Sequence, residues 1–342
     1  MKKILLLILL LPVYLWGQES ESESFNYTPK ISGFIKTKWE YCFDNNTNRF
    51  DVRNSRLSVG GSVNKYVDYQ FQAEFSGHGQ FVFLDAYANI KPWDNVVFWF
   101  GQFTVPFSEN YVVSGSQNIF ANRTFLAKFV NPDVRDIGTR MDYMFSVKVP
   151  FTLQVGVFNG AGINTPEWQD SPFLFGRLIY GTMDGFRASV KYYGGKQATA
   201  NKIANYGFDL RYAHDKYRIE AEYVVKDSVG MDKNVSAAYV QGAYNFPVKN
   251  KGMLKYIEPT LRTDGMGYKI FENGFDISRI TAGINLGLDL KPMAVEIRFN
   301  YEYFFLHKSR GVIEENKYYH NFFERPDNGL FDKFTIELLI KF

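Results

Sequence analysis

The chain has 342 residues, and its 33 Phe, 23 Tyr and 5 Trp make 18% of it aromatic. Hydrophobic residues reach only 46% and the mean hydropathy is -0.25, which excludes a bundle of membrane helices, while the aromatic content argues against disorder. The 39 Lys and Arg residues nearly balance the 36 Asp and Glu residues, so nucleic acid is not indicated as a partner. Cys42 is the only cysteine, which excludes an internal disulfide and a cysteine-based zinc site.

The N-terminus has the pattern of a secretory signal peptide. Lys2 and Lys3 precede an apolar run from Ile4 to Trp16, and Gly17 closes this run before the polar Gln18. The run is shorter than the roughly 20 residues that a membrane-spanning helix needs. We therefore predict export with cleavage near Gly17, so that residues 1–17 are the signal peptide and residues 18–30 form a short periplasmic tail.

Apolar and polar residues alternate strictly in several stretches of the remaining chain. Between Tyr66 and Ser76 every second residue is apolar, a period of two that a helix does not produce. Together with less regular stretches, this pattern predicts sixteen strands, at about 31–43, 53–63, 66–76, 81–90, 96–103, 135–145, 151–160, 173–181, 186–193, 205–212, 217–226, 235–246, 254–263, 279–288, 295–303 and 334–342. Their spacing fits tilted membrane strands of about 9 to 11 residues. The expected fold is all-β, a transmembrane antiparallel β-barrel formed by residues 31–342 as one domain.

The last strand favours a membrane barrel over a soluble one. Phe334, Ile336, Leu338, Ile340 and the terminal Phe342 share one face. Apolar positions along the chain are often Tyr or Phe near strand ends, as the aromatic girdles of membrane barrels require. The alternative is a soluble β-sandwich binding module, whose apolar faces would pack on one another. Dependence of the purified protein on detergent separates the two.

Five segments, in order, resemble the phosphate-selective porin O/P family. They are the R-x-x-R-L run at 52–61, the D-A-Y run at 84–87, the G-Q-F-x-x-P-F-S run at 100–108, the R-D-I-G run at 135–138 and the G-V-F-N-G run at 156–160. The resemblance implies a 16-stranded barrel in the outer membrane of a Gram-negative bacterium, commonly a homotrimer, with a loop folded inward to narrow each pore. In this chain that loop would span about 104–132. The terminal Phe342 similarly resembles the signal read by the barrel assembly machinery.

Charges on the inward face are the expected determinants of channel selectivity, because selectivity depends on pore width and on the groups that line it. Guanidinium groups suit phosphate, since their planar fork of donors binds two oxygens together. The residues predicted to meet the solute are Arg56, Asp85, Arg123, Lys128, Arg140, Arg177, Arg187, Lys191, Arg211 and Arg262. Inward-facing carboxylates leave an alternative open, in which the cations pair across strands and only keep the lumen hydrated. The protein would then be a general diffusion or sugar channel without anion selectivity.

An enzymatic function is not indicated by the sequence. His78, His214, His307 and His320 are scattered, and no nucleophile or phosphate-loop motif accompanies them. An outer-membrane barrel enzyme with a Ser/His pair is a less favoured alternative. We expect a porin without a cofactor, whose partners are small anionic solutes such as phosphate, outer-membrane lipid and the barrel assembly machinery.

Overall fold

The computed structural model describes residues 27–75, 81–130, 134–146, 150–196, 202–229, 234–249, 252–308 and 332–342. The predicted signal peptide and most of the predicted tail lie outside these ranges. The strands are β1 (Lys30–Cys42), β2 (Thr47–Val52), β3 (Arg56–Asn64), β4 (Val67–Phe75), β5 (Phe81–Trp93), β6 (Val96–Thr104), β7 (Arg135–Met144), β8 (Phe151–Phe158), β9 (Phe173–Gly181), β10 (Gly185–Lys196), β11 (Lys202–His214), β12 (Tyr217–Val229), β13 (Val235–Tyr244), β14 (Phe246–Pro247), β15 (Leu254–Tyr268), β16 (Ile277–Leu290), β17 (Met293–Leu306) and β18 (Lys333–Lys341). The helices are the short α1 (Glu109–Val112) and α2 (Ile270–Asn273). In the described part of the chain, no helix has the length and apolar character needed to cross a membrane.

These strands form one closed antiparallel barrel. β2 and β3 both pair with β1 and are separated by residues 53–55, where Asn54 has a positive φ of 52°. β13 and β14 both pair with β15, so each of these two pairs acts as a single strand. The other strands pair with their neighbours in sequence, and β18 pairs with β1. The prediction of a sixteen-stranded barrel is confirmed.

The barrel is apolar outside and charged inside. On β10, Val190 is 58% exposed, whereas its neighbours Ser189 and Lys191 are each 5% exposed. On β9, Leu178 is 40% exposed beside Arg177 at 2%. Because successive residues of a strand point to opposite faces, the sequence alternation places aliphatic and aromatic groups on the outer surface and polar groups in the lumen, as in a membrane barrel.

One rim of the barrel carries short turns between strands and the last residue, Phe342. Outer-membrane barrels have short turns on the periplasmic side and longer loops outside, which assigns this rim to the periplasm. The short turns are residues 65–66, 94–95, 182–184, 215–216 and 291–292.

The long connection between β6 and β7 lies against the inner wall of the barrel. We call its described residues 105–130 the inner loop; they include α1 and a single turn at Leu126–Val130. Apolar side chains of the inner loop pack with inward-facing apolar residues of β8–β10, β12, β13, β15 and β16 in one buried cluster, which includes Phe107, Phe125, Leu126, Phe158 and Tyr193. The lumen is therefore partly filled by a packed core.

The barrel closes between the first strand and the terminal residue. The backbone N–H of Gly33 donates to the carbonyl of Phe342 at 2.9 Å, and that of Phe342 donates to the carbonyl of Gly33 at 3.0 Å. A Cβ on Gly33 would lie 2.5 Å from the carbonyl oxygen of Arg56 and 2.8 Å from ring atom Cζ of Phe342. Only glycine fits between the neighbouring backbone and this ring.

We therefore expect Gly33→Val and deletion of Phe342 each to lower the yield of folded barrel, since either change disturbs the closing pair of strands. The folded fraction is measured by the shift in electrophoretic mobility between unheated and heated samples. Gly176→Val serves as a control, because a Cβ there meets no atom within 4 Å. A wild-type folded yield in both seam variants, with altered conductance instead, would contradict this role.

Candidate functional site

Arginines of the wall bind the main chain of the inner loop. Arg177 donates to the carbonyl oxygen of Pro106 at 3.0 Å, and Arg262 donates to that of Asn122 at 2.8 Å. Three further wall arginines do the same at 2.6 to 3.3 Å, namely Arg218 to Gln117, Arg279 to Arg123 and Arg298 to Ser116. Buried carbonyl groups need such donors, so these five guanidinium groups fix the course of the loop across the lumen.

Glu109 is the acidic anchor of the inner loop. Its side chain is fully buried and faces Arg177 at 3.4 Å, Arg211 at 3.7 Å and Arg187 at hydrogen-bond contact. The three arginines come from β9, β10 and β11. A single loop carboxylate therefore neutralises charge contributed by three neighbouring strands.

A second carboxylate, from the wall, holds the start of α1. Glu222 accepts from the hydroxyl of Ser108 at 3.0 Å and from the backbone N–H of Glu109 at 3.2 Å. Lys191 bridges Glu222 at 2.6 Å and Asp209 at 2.9 Å. Charges of both signs are thus closely matched on the wall of β9–β12.

The opposite wall, formed by β1 and β3–β7, lines an open cavity through β1, β3, β4 and β5, and we call it the open wall. Arg56 on β3 pairs with Glu74 at 2.7 Å, and Arg135 on β7 pairs with Asp85 at 2.7 Å. A second nitrogen of Arg135 donates to Gln72 at 3.2 Å. Asp85 therefore acts as a structural partner for an inward cation in this arrangement.

Arg123 is the cation of the inner loop that faces this open wall. Its guanidinium lies 4.0 Å from the ring centroid of Tyr111 and donates to the carbonyl oxygen of Asn110. A Cβ on Gly115 would lie 3.6 Å from Arg123 Nη2 and 3.9 Å from Arg56 Nη1, so both guanidinium groups border the same small space. Among the described residues, no carboxylate lies within 4 Å of Arg123.

Lys128 belongs to another part of the loop. Burial lowers the pKa of its ammonium group well below the usual value, and the nearby charges of Lys333 and Arg279 lower it further. Burial therefore disfavours the charged form of this lysine.

Arg140 lines the open wall below Arg135. It binds Asp142 through two nitrogens at 2.8 and 2.9 Å, and its guanidinium stacks 4.3 Å from the centroid of Trp99. Both of its oxygen contacts go to one carboxylate, which leaves this stretch of wall close to neutral.

The structure thus divides nine of the ten predicted solute-path residues into two groups, and Lys128 belongs to neither. Arg177, Arg187, Lys191 and Arg211 converge on the anchored side of the inner loop, and Arg262 also binds the loop. The residues on the open side are Arg56, Asp85, Arg123 and Arg140. Sequence reasoning did not assign Arg135 to the lumen, although it stands in one of the matched motifs.

Residues 37–171 match the sequence profile of a family described as phosphate-selective porin O and P. This range contains all five of the sequence motifs and the whole inner loop. No curated protein matches the chain in sequence.

Solved porins share the fold at low sequence identity. OmpF of Salmonella typhi, in complex with daunomycin, superposes with a TM-score of 0.66 at 12% identity, covering 92% of this chain and 98% of that one. An anion-selective porin from Comamonas acidovorans gives 0.60 at 12% identity, and in vitro folded OmpT of Vibrio cholerae, in a trimer form, gives the same values; each covers 92% of this chain and 99% of the other. The sequence resemblance to the phosphate-selective porin O and P family is confirmed over residues 37–171, and the barrel has the fold of outer-membrane porins.

Proposed function

We propose that the protein passes small anions by passive diffusion along an off-centre path. The path runs between the inner loop and the wall formed by β1 and β3–β7. The opposite side of the lumen is filled by the anchored loop, its ion pairs and the apolar cluster. The path therefore meets one wall of the barrel and one face of the loop, and the inner loop sets its narrowest part.

The single observation that carries anion preference is the position of Arg123. Arg56 and Arg135 each have a carboxylate partner, so Arg123 adds positive charge to a ring that is otherwise balanced. A charge beside a narrow and poorly screened passage acts more strongly than the same charge in bulk water. The anion-selective porin from Comamonas acidovorans supports the proposal by its shared fold.

The test is the zero-current potential of the reconstituted wild-type channel across a tenfold KCl gradient. We expect the potential to have the sign set by chloride, and we expect added inorganic phosphate to reduce the chloride current by competing for the same ring. A potential set by potassium, or close to zero, would refute anion selectivity. The latter result supports the general diffusion channel instead.

Under this proposal the protein moves solutes and catalyses no reaction. The family match and the porin folds support a channel rather than an enzyme, and the path needs no bound cofactor.

We also propose assembly as a homotrimer, supported by the trimer form of OmpT of Vibrio cholerae. Native mass spectrometry in detergent should give three times the mass of the mature chain.

We further propose that residues 1–17 are removed during export. Lys2, Lys3 and the apolar run that follows them support this proposal. N-terminal analysis of protein taken from outer membranes should begin at or near Gln18. Detection of peptides from Ile4–Trp16 in that material would contradict cleavage.

A further inference from the structure

A large cavity lies on the periplasmic side of the Arg56 and Arg123 ring. Its volume is about 820 Å³, and β1, β3, β4 and β5 form its wall. Ser114 and Ser116 of the inner loop form its upper boundary. Pockets for organic ligands usually occupy about 300–1,000 Å³, whereas one water molecule takes about 30 Å³. The space is therefore much larger than inorganic phosphate requires.

Most of the lining of this cavity is neutral and rich in hydrogen-bonding groups; its charged members are Lys30, Lys341 and Asp68, which pairs with Lys91. It includes the hydroxyl groups of Ser32, Ser58 and Ser62 and the amides of Gln70 and Asn89. Such groups both donate and accept hydrogen bonds. This chemistry contrasts with the ion pairs on the anchored side of the lumen and suits a solute that carries several hydroxyl groups.

Aromatic surface borders the same space. Tyr87 lines the cavity, and its hydroxyl donates to Gln70 at 3.0 Å while its ring packs 5.0 Å from the ring of Trp99. Phe34 lines the cavity on the β1 side. Flat apolar rings between polar groups offer contact to the C–H faces of a sugar ring.

The cavity adjoins Arg56 through the lining residue Phe34, whose ring centroid lies 5.8 Å from the Arg56 guanidinium carbon, and it adjoins Arg135 through Gln72. This side chain lines the cavity, donates to Ser58 at 2.8 Å and accepts from Arg135 at 3.2 Å. Ser58 follows Arg56 by two residues on the same face of β3. An anionic group held between Arg56 and Arg123 would therefore leave the rest of its molecule beside the hydroxyl and amide groups of the cavity.

We propose that the pore is adapted to sugar phosphates, whose phosphate group binds at the Arg56 and Arg123 ring while the hydroxyl-bearing ring occupies the cavity below. This inference rests on the proposed anion path and adds a second contact region to it. Neither region alone provides the full set of contacts, so the preference requires a phosphate and a sugar in one molecule.

The experiment compares residence times of three probes in single-channel current recordings: inorganic phosphate, glucose and glucose 6-phosphate. We expect glucose 6-phosphate to interrupt the current about tenfold longer than phosphate, the effect of roughly two net hydrogen bonds. Glucose alone should cause no resolved interruption. In the double variant Ser32→Ala, Gln70→Leu, the residence time of glucose 6-phosphate should fall to that of phosphate, while the phosphate signal is unchanged.

Thr260→Val is the matched control, because this buried polar residue lies on β15, outside the cavity lining. It should leave all three probes unaffected. If phosphate interrupts the current but glucose 6-phosphate lasts no longer, the cavity proposal fails and anion conduction stands. Equal interruption by glucose and glucose 6-phosphate also overturns it, in favour of neutral sugar binding. If phosphate has no effect and the channel prefers cations, the proposed function itself is wrong.

Discussion

Replacing Glu109 by alanine should release the start of the inner loop from the wall and raise the open-channel conductance. The substitution leaves Arg177, Arg187 and Arg211 facing one another without their shared carboxylate. Removing one partner of a buried ion pair costs about 3–5 kcal/mol, enough to change which loop arrangement is populated. Single-channel recordings should show a larger and noisier current.

The barrel itself should stay folded in this variant, because the strand ladder and the apolar cluster do not depend on Glu109. Glu272→Gln provides the control, since Glu272 is an exposed acid on the connection after β15. Glu109→Gln keeps the shape of the side chain and removes its charge, so an intermediate effect is expected. Unchanged conductance and noise in both Glu109 variants would mean that other contacts hold the loop.

Changing Arg123 and Lys128 together to Glu should shift the ion preference toward cations, and nearly all of the shift should come from Arg123. Arg123 borders the open passage beside Arg56, whereas Lys128 lies near Lys333 and Arg279. Burial lowers the pKa of Arg123 only to about 10, so this side chain keeps its charge at neutral pH. A unit charge about 5 Å from an ion changes its energy by about 1–3 kcal/mol at effective dielectric constants between 80 and 20. The anion-to-cation permeability ratio should therefore fall by at least about tenfold.

The measurement is the zero-current potential of the double variant and of the two single variants in the same KCl gradient. The folded yield of each variant is compared with wild type, so that a failure of assembly is not read as a change in selectivity. Equal contributions from the two sites would show that Lys128 also faces the path. A wild-type potential in the double variant would remove the inner loop as the filter.

The strands were predictable because a period of two is a local property. The segment Phe173–Gly181 has the predicted ends, and every predicted strand has a counterpart in the barrel. The split of one strand between β2 and β3 was not predictable, since it depends on the left-handed backbone of Asn54 and on pairing with β1.

Which of the lumen arginines bind the inner loop depends on contacts between distant parts of the chain. Alternation correctly puts Arg177 and Arg262 on the inner face, but their partners include carbonyl groups of the inner loop 71 and 140 residues away in sequence. The two-residue period of a strand and the amino-acid composition of the chain do not predict such contacts. The sequence identifies Glu109 as an acidic residue of the loop, but its burial against three arginines follows only from the fold.

The off-centre path is tested most directly by chemical modification of single cysteines in a Cys42→Ser background. Ser58→Cys places the thiol in the open cavity, whereas Ser189→Cys places it where Arg177 and Asp209 enclose the side chain. A cationic methanethiosulfonate reagent should react with the first variant and sharply reduce its single-channel current, and it should leave the current of the second unchanged. Block of the Ser189→Cys channel with an unaltered current through Ser58→Cys would place the path on the opposite side of the lumen and contradict the account.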